Sequence, residues 1–373
     1  MQTRPFALER YFARYESVSR YHLSSSECEG DTMEELVAGA DDECRELWTN
    51  LTLGYTEYGG FPLLRSEVAA RYRTLGPDDV NVLVPLEGIL LSMHSLLTAG
   101  DHVVCMFPGY QALYEVATGI GCTVDRWTPR ETDRWDFDLD DLQALLRPET
   151  TLLVLNVPHN PTGAVFSPDV WDELLALCAE RGIRVFCDEM YRGLELPGTE
   201  RTVSAVDVHP DNVVLGGLSK SYGLPGLRIG WIASRDTAFM QRFAQLRDYT
   251  TMCNSAPSEV LGLMAMRNED AIFTRHRDRV ATHLGLLESF VATHAGRLEL
   301  SRPQGSTVGL IRLLEESAEE LARRCAQEHG LMLVPSTVFE FGDHHVRIGM
   351  GLKNFPECLE VFGRVLDRVP AGG

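Results

Sequence analysis

The sequence predicts an α/β protein whose larger lobe is a mostly parallel, mixed β-sheet flanked by helices, with a second, smaller α+β lobe. Short apolar runs alternate with segments of helical spacing through the middle of the chain. From about Asn268 onward this pattern changes to one long helix followed by shorter strands. With 373 residues, 44% of them hydrophobic, the chain is long enough for two lobes around a substantial core.

Six apolar runs of strand length predict the sheet of the larger lobe. In chain order they are Asn81–Val84, His102–Phe107, Thr151–Asn156, Ile183–Asp188, Asn212–Gly216 and Ile229–Ala233. The segments between them predict helices over Gly88–Leu97, Ser167–Arg181 and Asp236–Arg247. Ser167 followed by Pro168 is typical of an N-cap with proline at the first helical position.

The same patterns divide the chain into two lobes. We predict a large, cofactor-binding lobe over residues 46–265. Residues 1–45 and 266–373 would together form the small lobe, which includes a strand at His345–Ile348.

Composition and charge narrow the classes of partner. The formal net charge is -20, which argues against nucleic acid or an anionic membrane as the main partner. Apolar runs stay short of a membrane span, and charges interrupt the N-terminus, so we expect neither a spanning helix nor a secretory signal. The nine cysteines form no C-x-x-C pair, and several lie in apolar runs. We therefore expect a reduced, cytoplasmic, soluble globular protein.

Polar residues follow three successive predicted strands at the point where each strand ends. Asn160 comes shortly after one strand, Asp188 and Tyr191 after the next, and the Ser219–Lys220 turn after a third. Taken alone, each has a structural explanation as a turn, a helix cap or a loop charge. Because ligands bind beyond the carboxyl ends of such strands, their succession favours a single site.

The residue types at these strand ends fit one kind of chemistry. A lysine in a partly desolvated pocket, here Lys220, loses its proton readily and can form a Schiff base with an aldehyde cofactor. An acid such as Asp188 can keep a pyridine nitrogen protonated, which makes the ring an electron sink. The amides of Glu87 and Gly88 at a predicted helix start, with Arg228, would hold a phosphate group.

Six motifs resemble the fold-type I pyridoxal-phosphate enzymes, specifically the class I/II aminotransferases. They occur in that family's order through most of the chain. They are YTEYGGFPLLR, AGDHVVCMFPGYQALY, NVPHNPTG, DEMY, GLSKSYGLPGLRIG and HVRIGMG. The resemblance implies pyridoxal 5'-phosphate as cofactor and an amino acid as substrate.

The resemblance also implies a role for each matching residue. Lys220 looks like the lysine that binds the cofactor and then moves the substrate proton. Asp188 would pair with the pyridine nitrogen, while Asn160 and Tyr191 would hydrogen-bond the phenolic oxygen. Tyr110 would stack on the ring.

At the two ends of the bound molecule, the resemblance implies further contacts. Arg228, with Ser219 and the Glu87–Gly88 turn, would hold the phosphate. Tyr55 would reach the phosphate of a neighbouring subunit, so a homodimer with composite sites is implied. Arg347 would grip the substrate α-carboxylate in bidentate fashion.

The N-terminal segment departs from the family pattern and bears on substrate choice. The segment from Leu23 to Glu29 carries acids, Glu27 among them, where ordinary aminotransferases often have Gly, Asn or Pro, and Ser25 adds a hydroxyl. An acid facing the pocket would favour a basic, arginine-like substrate. The alternative is that Glu27 caps a helix beginning near Thr32 or points to water.

Transamination is the first interpretation of this sequence, and elimination or cyclisation stays open. The opening stretch FALERYFARYESVSRYHLSSSE resembles capreomycidine-synthase-type enzymes, which dehydrate and cyclise a hydroxylated arginine. A non-catalytic cofactor binder or a regulator is a further alternative. The chain, however, lacks a basic patch for DNA and keeps Lys220, Asp188 and Arg347. A nicotinamide-binding fold is disfavoured because no strand precedes G-x-G-x-x-G.

Overall fold

A computed structural model describes residues 2–131 and 134–367. Its strands are β1 Tyr21–His22, β2 Val80–Leu83, β3 His102–Met106, β4 Thr123–Trp127, β5 Arg130–Glu131, β6 Trp135–Asp136, β7 Thr150–Asn156, β8 Arg184–Asp188, β9 Val213–Gly217, β10 Gly230–Ala233, β11 Leu298–Leu300, β12 Val308–Leu313, β13 Leu331–Met332, β14 Val334–Pro335 and β15 His345–Gly349.

The α-helices are α1 Ala7–Tyr15, α2 Met33–Ala38, α3 Asp42–Thr49, α4 Pro62–Ala69, α5 Pro85–Leu96, α6 Ala112–Ile120, α7 Leu139–Leu145, α8 Pro168–Glu180, α9 Ala205–Val208, α10 Thr237–Arg247, α11 Ala256–Arg267, α12 Glu269–Thr293, α13 Ala318–His329 and α14 Phe355–Asp367.

A seven-stranded sheet in the order β2-β10-β9-β8-β7-β3-β4 forms the centre of the larger lobe. Only β10 runs antiparallel to its neighbours; the other pairings are parallel. Asn156 at the end of β7 lies opposite Asp188, and Asp188 lies opposite Leu215. This register brings the carboxyl ends of the central strands, and the polar residues that follow them, to one edge.

The six predicted strands are confirmed to within one residue at each end. Strand β4 was not predicted from the sequence. It lies at the sheet edge and is mostly exposed or half-buried, so polar residues stand between its apolar ones. The helix predicted to begin at Gly88 begins at Pro85, where the fixed φ of proline suits the first helical position. The predicted Ser167 cap is confirmed by its side chain, which accepts from the Val170 amide at 3.4 Å.

The chain beyond the large sheet forms a smaller layer. The predicted long helix is α12, and a four-stranded sheet in the order β11-β12-β15-β14 follows it. Strand β1 pairs in parallel with β13, which ties the N-terminal part of the chain to the C-terminal part. The predicted lobe bounds stay predictions, and positions 132–133 and 368–373 lie outside the described residues.

Residues 23–29, here called the N-terminal segment, pass directly over the end of β15. The Gly349 amide donates to the Leu23 carbonyl at 2.7 Å, and the Glu29 amide donates to the Gly351 carbonyl at 3.0 Å. A Cβ on Gly349 would lie 1.7 Å from the Ser25 carbonyl oxygen. Glycine is therefore required here, because only a residue without a side chain lets two backbones approach so closely.

None of the helices in the described ranges 2–131 and 134–367 is long and apolar enough to cross a membrane.

Candidate active site

A cavity of about 310 Å³ lies at the carboxyl ends of the central strands. Side chains from several separate elements line it, including α1, the first turn of α5, the ends of β7 and β8, the lysine turn after β9, and β15. Eight of the predicted site residues meet there: Tyr110, Asn160, Asp188, Tyr191, Ser219, Lys220, Arg228 and Arg347. These predicted residues, although up to 237 positions apart in sequence (Tyr110 to Arg347), thus share one cavity.

Lys220 points its amine at the N-terminal segment. Its Nζ donates a hydrogen bond to Ser26 Oγ at 2.8 Å. Burial lowers the pKa of Lys220, and the nearby Arg347 cation lowers it further, while Glu27 opposes both. A lowered pKa increases the neutral, nucleophilic fraction of the amine, which is the form that attacks an aldehyde.

Asp188 is buried at the end of β8. Burial raises its pKa to about 7, although the Met190 amide, which donates to Oδ1 at 3.0 Å, opposes this rise. A cation placed against the carboxylate would lower the pKa again, since an opposite charge favours the ionised form. The position therefore suits an acid that pairs with a protonated ring nitrogen.

Arg347 is fully buried and holds Asn160 beside the strand ends. Its Nη1 donates to Asn160 Oδ1 at 3.2 Å, and its Nη2 donates to the Ser24 carbonyl at 2.8 Å. The Arg347 Nε has no hydrogen-bond partner among the described residues. Asn160 is fixed in turn, because its backbone N–H donates to Asn156 Oδ1 at 2.8 Å. The guanidinium keeps donor capacity that a carboxylate could use.

The end of the cavity where we predicted a phosphate to bind combines a hydroxyl, an arginine and a helix start. The Ser219 hydroxyl is buried without a partner among the described residues. Arg228 has a φ of 56°, a conformation that costs energy for a non-glycine residue and is concentrated at functional sites. Pro85 and Leu86, in the first turn of α5, also line the cavity.

The expectation for the Glu87–Gly88 turn needs correction at Gly88. The Gly88 amide already donates to the Val84 carbonyl at 3.0 Å, so it is not available to a phosphate. A Cβ on Gly88 would lie 2.7 Å from Leu83 Cδ1, so the glycine serves the packing of α5 on the sheet. The first-turn amides without a partner inside the helix belong to Leu86 and Glu87. The Glu87 carboxylate accepts from the Thr251 amide and hydroxyl at 3.2 and 2.8 Å.

Two tyrosines flank the centre of the cavity. The buried Tyr191 hydroxyl has no hydrogen bond of normal geometry among the described residues. The Tyr110 ring packs on Phe6 with centroids 5.0 Å apart, and its hydroxyl donates to Glu9 Oε1 at 3.3 Å.

The structure places the other predicted site residues outside the cavity lining. Tyr55 is 90% exposed. Ser25 presents its carbonyl to Gly349, and the neighbouring Ser26 contacts the lysine instead. Glu27 lies close enough to raise the pKa of Lys220 and of Arg347 against the effect of burial.

The capping alternative for Glu27 is wrong. Thr32 is the N-cap of α2, and its hydroxyl accepts from the Glu35 amide at 3.2 Å.

Two residues of the cavity lining were not predicted to have a role of their own. Ser26 belongs to a run of three serines, and only the fold determines which of them faces the lysine. Glu9 lies on α1 with Leu8 and Phe12, and all three line the cavity. The sequence around Glu9 indicates an amphipathic helix, but which element that helix covers depends on tertiary packing.

The fold and the lysine–aspartate constellation define a fold-type I pyridoxal-phosphate-dependent enzyme. The model of the family described as aminotransferase class I and II matches residues 21–356. The chain belongs to this family, as the sequence motifs predicted.

Relatives of two kinds are similar to this chain. Capreomycidine synthase of Streptomyces vinaceus is 32% identical over 291 residues, which cover 77% of this chain and 73% of that protein. Arginine–pyruvate transaminase of Pseudomonas aeruginosa is 27% identical, with 88% of this chain and 85% of that protein covered.

Solved structures of both kinds share the fold. A PLP-dependent aminotransferase from Streptococcus suis superposes with a TM-score of 0.92 at 27% identity and full coverage of both chains. The PLP-dependent cyclase OrfR gives a TM-score of 0.90 at 26% identity, with 99% of each chain covered. The cofactor of this family is pyridoxal 5'-phosphate.

The cavity fits that cofactor by the chemistry of its donors. The unpartnered hydroxyls of Ser219 and Tyr191 and the Arg347 Nε are buried polar groups that a bound ligand would satisfy. Together with Arg228 they supply donors for a phosphate, a phenolic oxygen and a carboxylate.

Proposed function

We propose that this chain is a pyridoxal-phosphate-dependent aminotransferase that takes a basic, arginine-like L-amino acid and transfers its α-amino group to a keto acid. The observation that carries the proposal is the meeting of Lys220, Asp188, Asn160 and Arg347 around one cavity. The Pseudomonas aeruginosa relative is an arginine–pyruvate transaminase, and its substrate arginine supports a basic substrate for this chain.

Each residue would contribute one defined step. When bound, pyridoxal phosphate withdraws electrons from the amino acid attached to it and so acidifies the α-proton. Lys220 would bind the cofactor, then accept the α-proton on Nζ and return it. Asp188 would hold the proton on the ring nitrogen. Arg347 and Asn160 would orient the α-carboxylate, and Arg347 is suited to this because its fork matches that group.

Further residues would position the ring and the phosphate. Tyr191 and Asn160 would donate to the phenolic oxygen, and Tyr110 would lie against the ring. Ser219, Arg228 and the Glu87 amide would bind the phosphate. Gly88 is left out of this set because its amide is used within the helix.

We also propose that the protein is a homodimer and that it is located in the cytoplasm, which is a reducing compartment. The exposed Tyr55 would contact the phosphate in the neighbouring subunit, which makes each site composite. The described residues include all nine cysteines, none in a disulfide and eight of them buried, which suits the cytoplasm.

A lyase or cyclase reaction on a hydroxylated arginine is the second candidate. It is favoured by the similarity to capreomycidine synthase and to the cyclase OrfR, both of which span most of this chain. The cofactor and the α-proton step are the same in both candidates. They differ in what leaves the substrate afterwards.

Incubation of the holoenzyme with a panel of L-amino acids tests the proposal. Arginine with pyruvate should yield a keto acid and alanine, and the absorption spectrum should change on addition of arginine alone. A cyclised or dehydrated product from hydroxyarginine, without keto acid from any amino acid, would favour the second candidate. No spectral response to any amino acid would contradict both candidates.

A further inference from the structure

Helix α1 brings a carboxylate to the cavity that the reaction does not use. Glu9 lines the cavity beside Leu8 and Phe12. Its Oε1 accepts the hydroxyl hydrogen of Tyr110 at 3.3 Å, and Tyr110 is itself part of the wall. Within residues 2–131 and 134–367, Glu9 has no ion-pair partner.

The charged residues of the cavity wall can be matched one by one with the groups of a bound amino acid and its cofactor. The wall contains Glu9, Asp188, Lys220, Arg228 and Arg347. In the proposed function, Lys220 would serve first the cofactor aldehyde and then the α-proton, Asp188 the ring nitrogen, Arg228 the phosphate and Arg347 the α-carboxylate. Glu9 is the wall charge to which the proposed reaction assigns no group. An acid in a partly desolvated site is stabilised by a nearby cation, and the distal end of a basic substrate side chain would provide one.

Several contacts hold α1 in place over the cavity. Arg4 Nη2 and Nε donate to Glu115 Oε2 at 2.6 and 2.8 Å, and the Ala7 amide donates to Gln111 Oε1 at 2.8 Å. Farther along the helix, Tyr11 Oη donates to the Leu333 carbonyl at 2.7 Å. Glu9 is therefore presented from a fixed helix and not from a solvated tail, which favours specific recognition over general attraction.

Glu27 is placed differently from Glu9, although both carboxylates raise the pKa of Lys220 and of Arg347. Glu27 has the larger effect on both cations but lies outside the cavity lining. Glu9 is part of the lining and contacts Tyr110 on the wall formed by α1. Of the two acids, Glu9 is therefore the one that faces the space a substrate would occupy.

We infer that Glu9 is a specificity-determining residue that binds the distal cation of the substrate side chain. The inference rests on the proposed function, because it assumes an amino acid bound with its α-carboxylate at Arg347. The ligand chemistry is a guanidinium or an ammonium group at the end of an aliphatic chain. A guanidinium could donate two hydrogen bonds to the carboxylate, whose orientation is held by the Tyr110 hydroxyl.

Spectral titration of the holoenzyme with arginine and with citrulline tests this inference. Citrulline has nearly the same shape as arginine but carries no charge, so the pair isolates the cation. We expect wild-type protein to bind arginine at least about 10-fold more tightly than citrulline. Glu9→Gln should weaken arginine binding by about 10- to 100-fold, as for a lost charge-assisted hydrogen bond, and leave citrulline binding nearly unchanged.

Glu16→Gln is the matched control. It removes the same charge from an exposed position in the turn that follows α1, outside the cavity. Both titrations should match wild type in this variant. A third titration, with lysine, distinguishes the two cations. Tighter binding of arginine than of lysine indicates a guanidinium partner, and the reverse indicates an ammonium partner. Either result supports the inference.

Two results would overturn the role of Glu9. One is equal binding of arginine and citrulline by wild-type holoenzyme that responds to other amino acids. The other is an unchanged preference in Glu9→Gln. If Glu9→Gln does not fold, Glu9→Asp serves instead: the shorter acid should keep a preference for arginine but a smaller one, and an unaltered ratio would count against the inference. A holoenzyme with no response to any amino acid would contradict the proposed function itself.

Discussion

Asp188 shows how burial alone prepares a residue for a partner that the chain does not contain. Asp188 is 6% exposed, and burial raises its pKa to about 7 even though the Lys220 cation lowers it. The cofactor-free folded protein therefore holds a proton on Asp188 that the unfolded chain releases. A protonated ring nitrogen would reverse this balance, because an ion pair favours the charged carboxylate.

The cofactor-free protein should consequently lose stability as pH rises. Between pH 5 and pH 7 the unfolded Asp188 is ionised while the folded one still binds its proton, so the unfolded state binds fewer protons. The free energy of unfolding should fall by about 2 kcal/mol more in wild type than in Asp188→Asn across this range. Chemical denaturation at pH 5, 6 and 7 measures the difference, with the exposed Asp140→Asn as control. Equal slopes for wild type and Asp188→Asn would refute the prediction.

At the scale of elements, the site depends on how closely the N-terminal segment crosses β15. Ser24 contributes a carbonyl to Arg347, and Ser26 a hydroxyl to Lys220. Both contacts require the backbone approach at Gly349, which leaves no space for a side chain. The motif HVRIGMG thus supplies both Arg347, the arginine that we propose binds the substrate carboxylate, and the glycine that lets a distant segment approach it.

Gly349→Ala should displace this segment. The added Cβ would lie 1.7 Å from the Ser25 carbonyl oxygen, and overpacking of this kind costs about 1–3 kcal/mol. We expect a lower free energy of unfolding in denaturant and weaker spectral binding of amino acids. Gly285→Ala on α12 is the control, because a Cβ added there would meet no heavy atom within 4 Å beyond its own stretch of helix. This substitution should leave the free energy of unfolding unchanged or raise it by up to about 1 kcal/mol. Wild-type stability of Gly349→Ala would contradict the close packing.

At the scale of the whole molecule, one surface exposes large apolar side chains. Leu53 and Tyr55 are 85% and 90% exposed in the stretch between α3 and α4, and Tyr58 is 64% exposed. Exposed apolar groups of this size often mark a protein–protein interface. This surface is where we propose that the second subunit binds.

Mixing two inactive variants tests the composite site. A Lys220→Ala subunit lacks its own lysine, and a Tyr55→Phe subunit lacks the hydroxyl that it would lend to its neighbour. In a mixed dimer, one of the two sites has neither change, so activity should rise above that of each variant alone. The mixture requires conditions in which subunits exchange, and labelled subunits can verify that exchange. Full activity of a dilute monomer would contradict the prediction.

The sequence by itself determined the sheet, the cofactor and most of the central site. Buried parallel strands are continuous apolar runs, and the residues that follow them, among them Asp188 and Lys220, meet wherever such strands form one sheet. Of the eight predicted site residues that line the cavity, Asn160, Asp188, Tyr191, Ser219 and Lys220 are there for this reason. The edge strand β4, with its mixed polar pattern, lacked that signal.

Only the tertiary structure decided which groups close the site from outside the sheet. Sequence spacing does not tell where α1 and the N-terminal segment pack, so the roles of Ser26 and Glu9 depended on long-range contacts. Gly88 differs, because its amide bonds within the chain's own first helical turns: the helix begins at Pro85, three residues before the predicted start, and the error was one of local helix bounds. The local sequence pattern determines whether a segment forms a strand or a helix. Contacts between side chains more than a hundred residues apart are determined by how whole elements pack together.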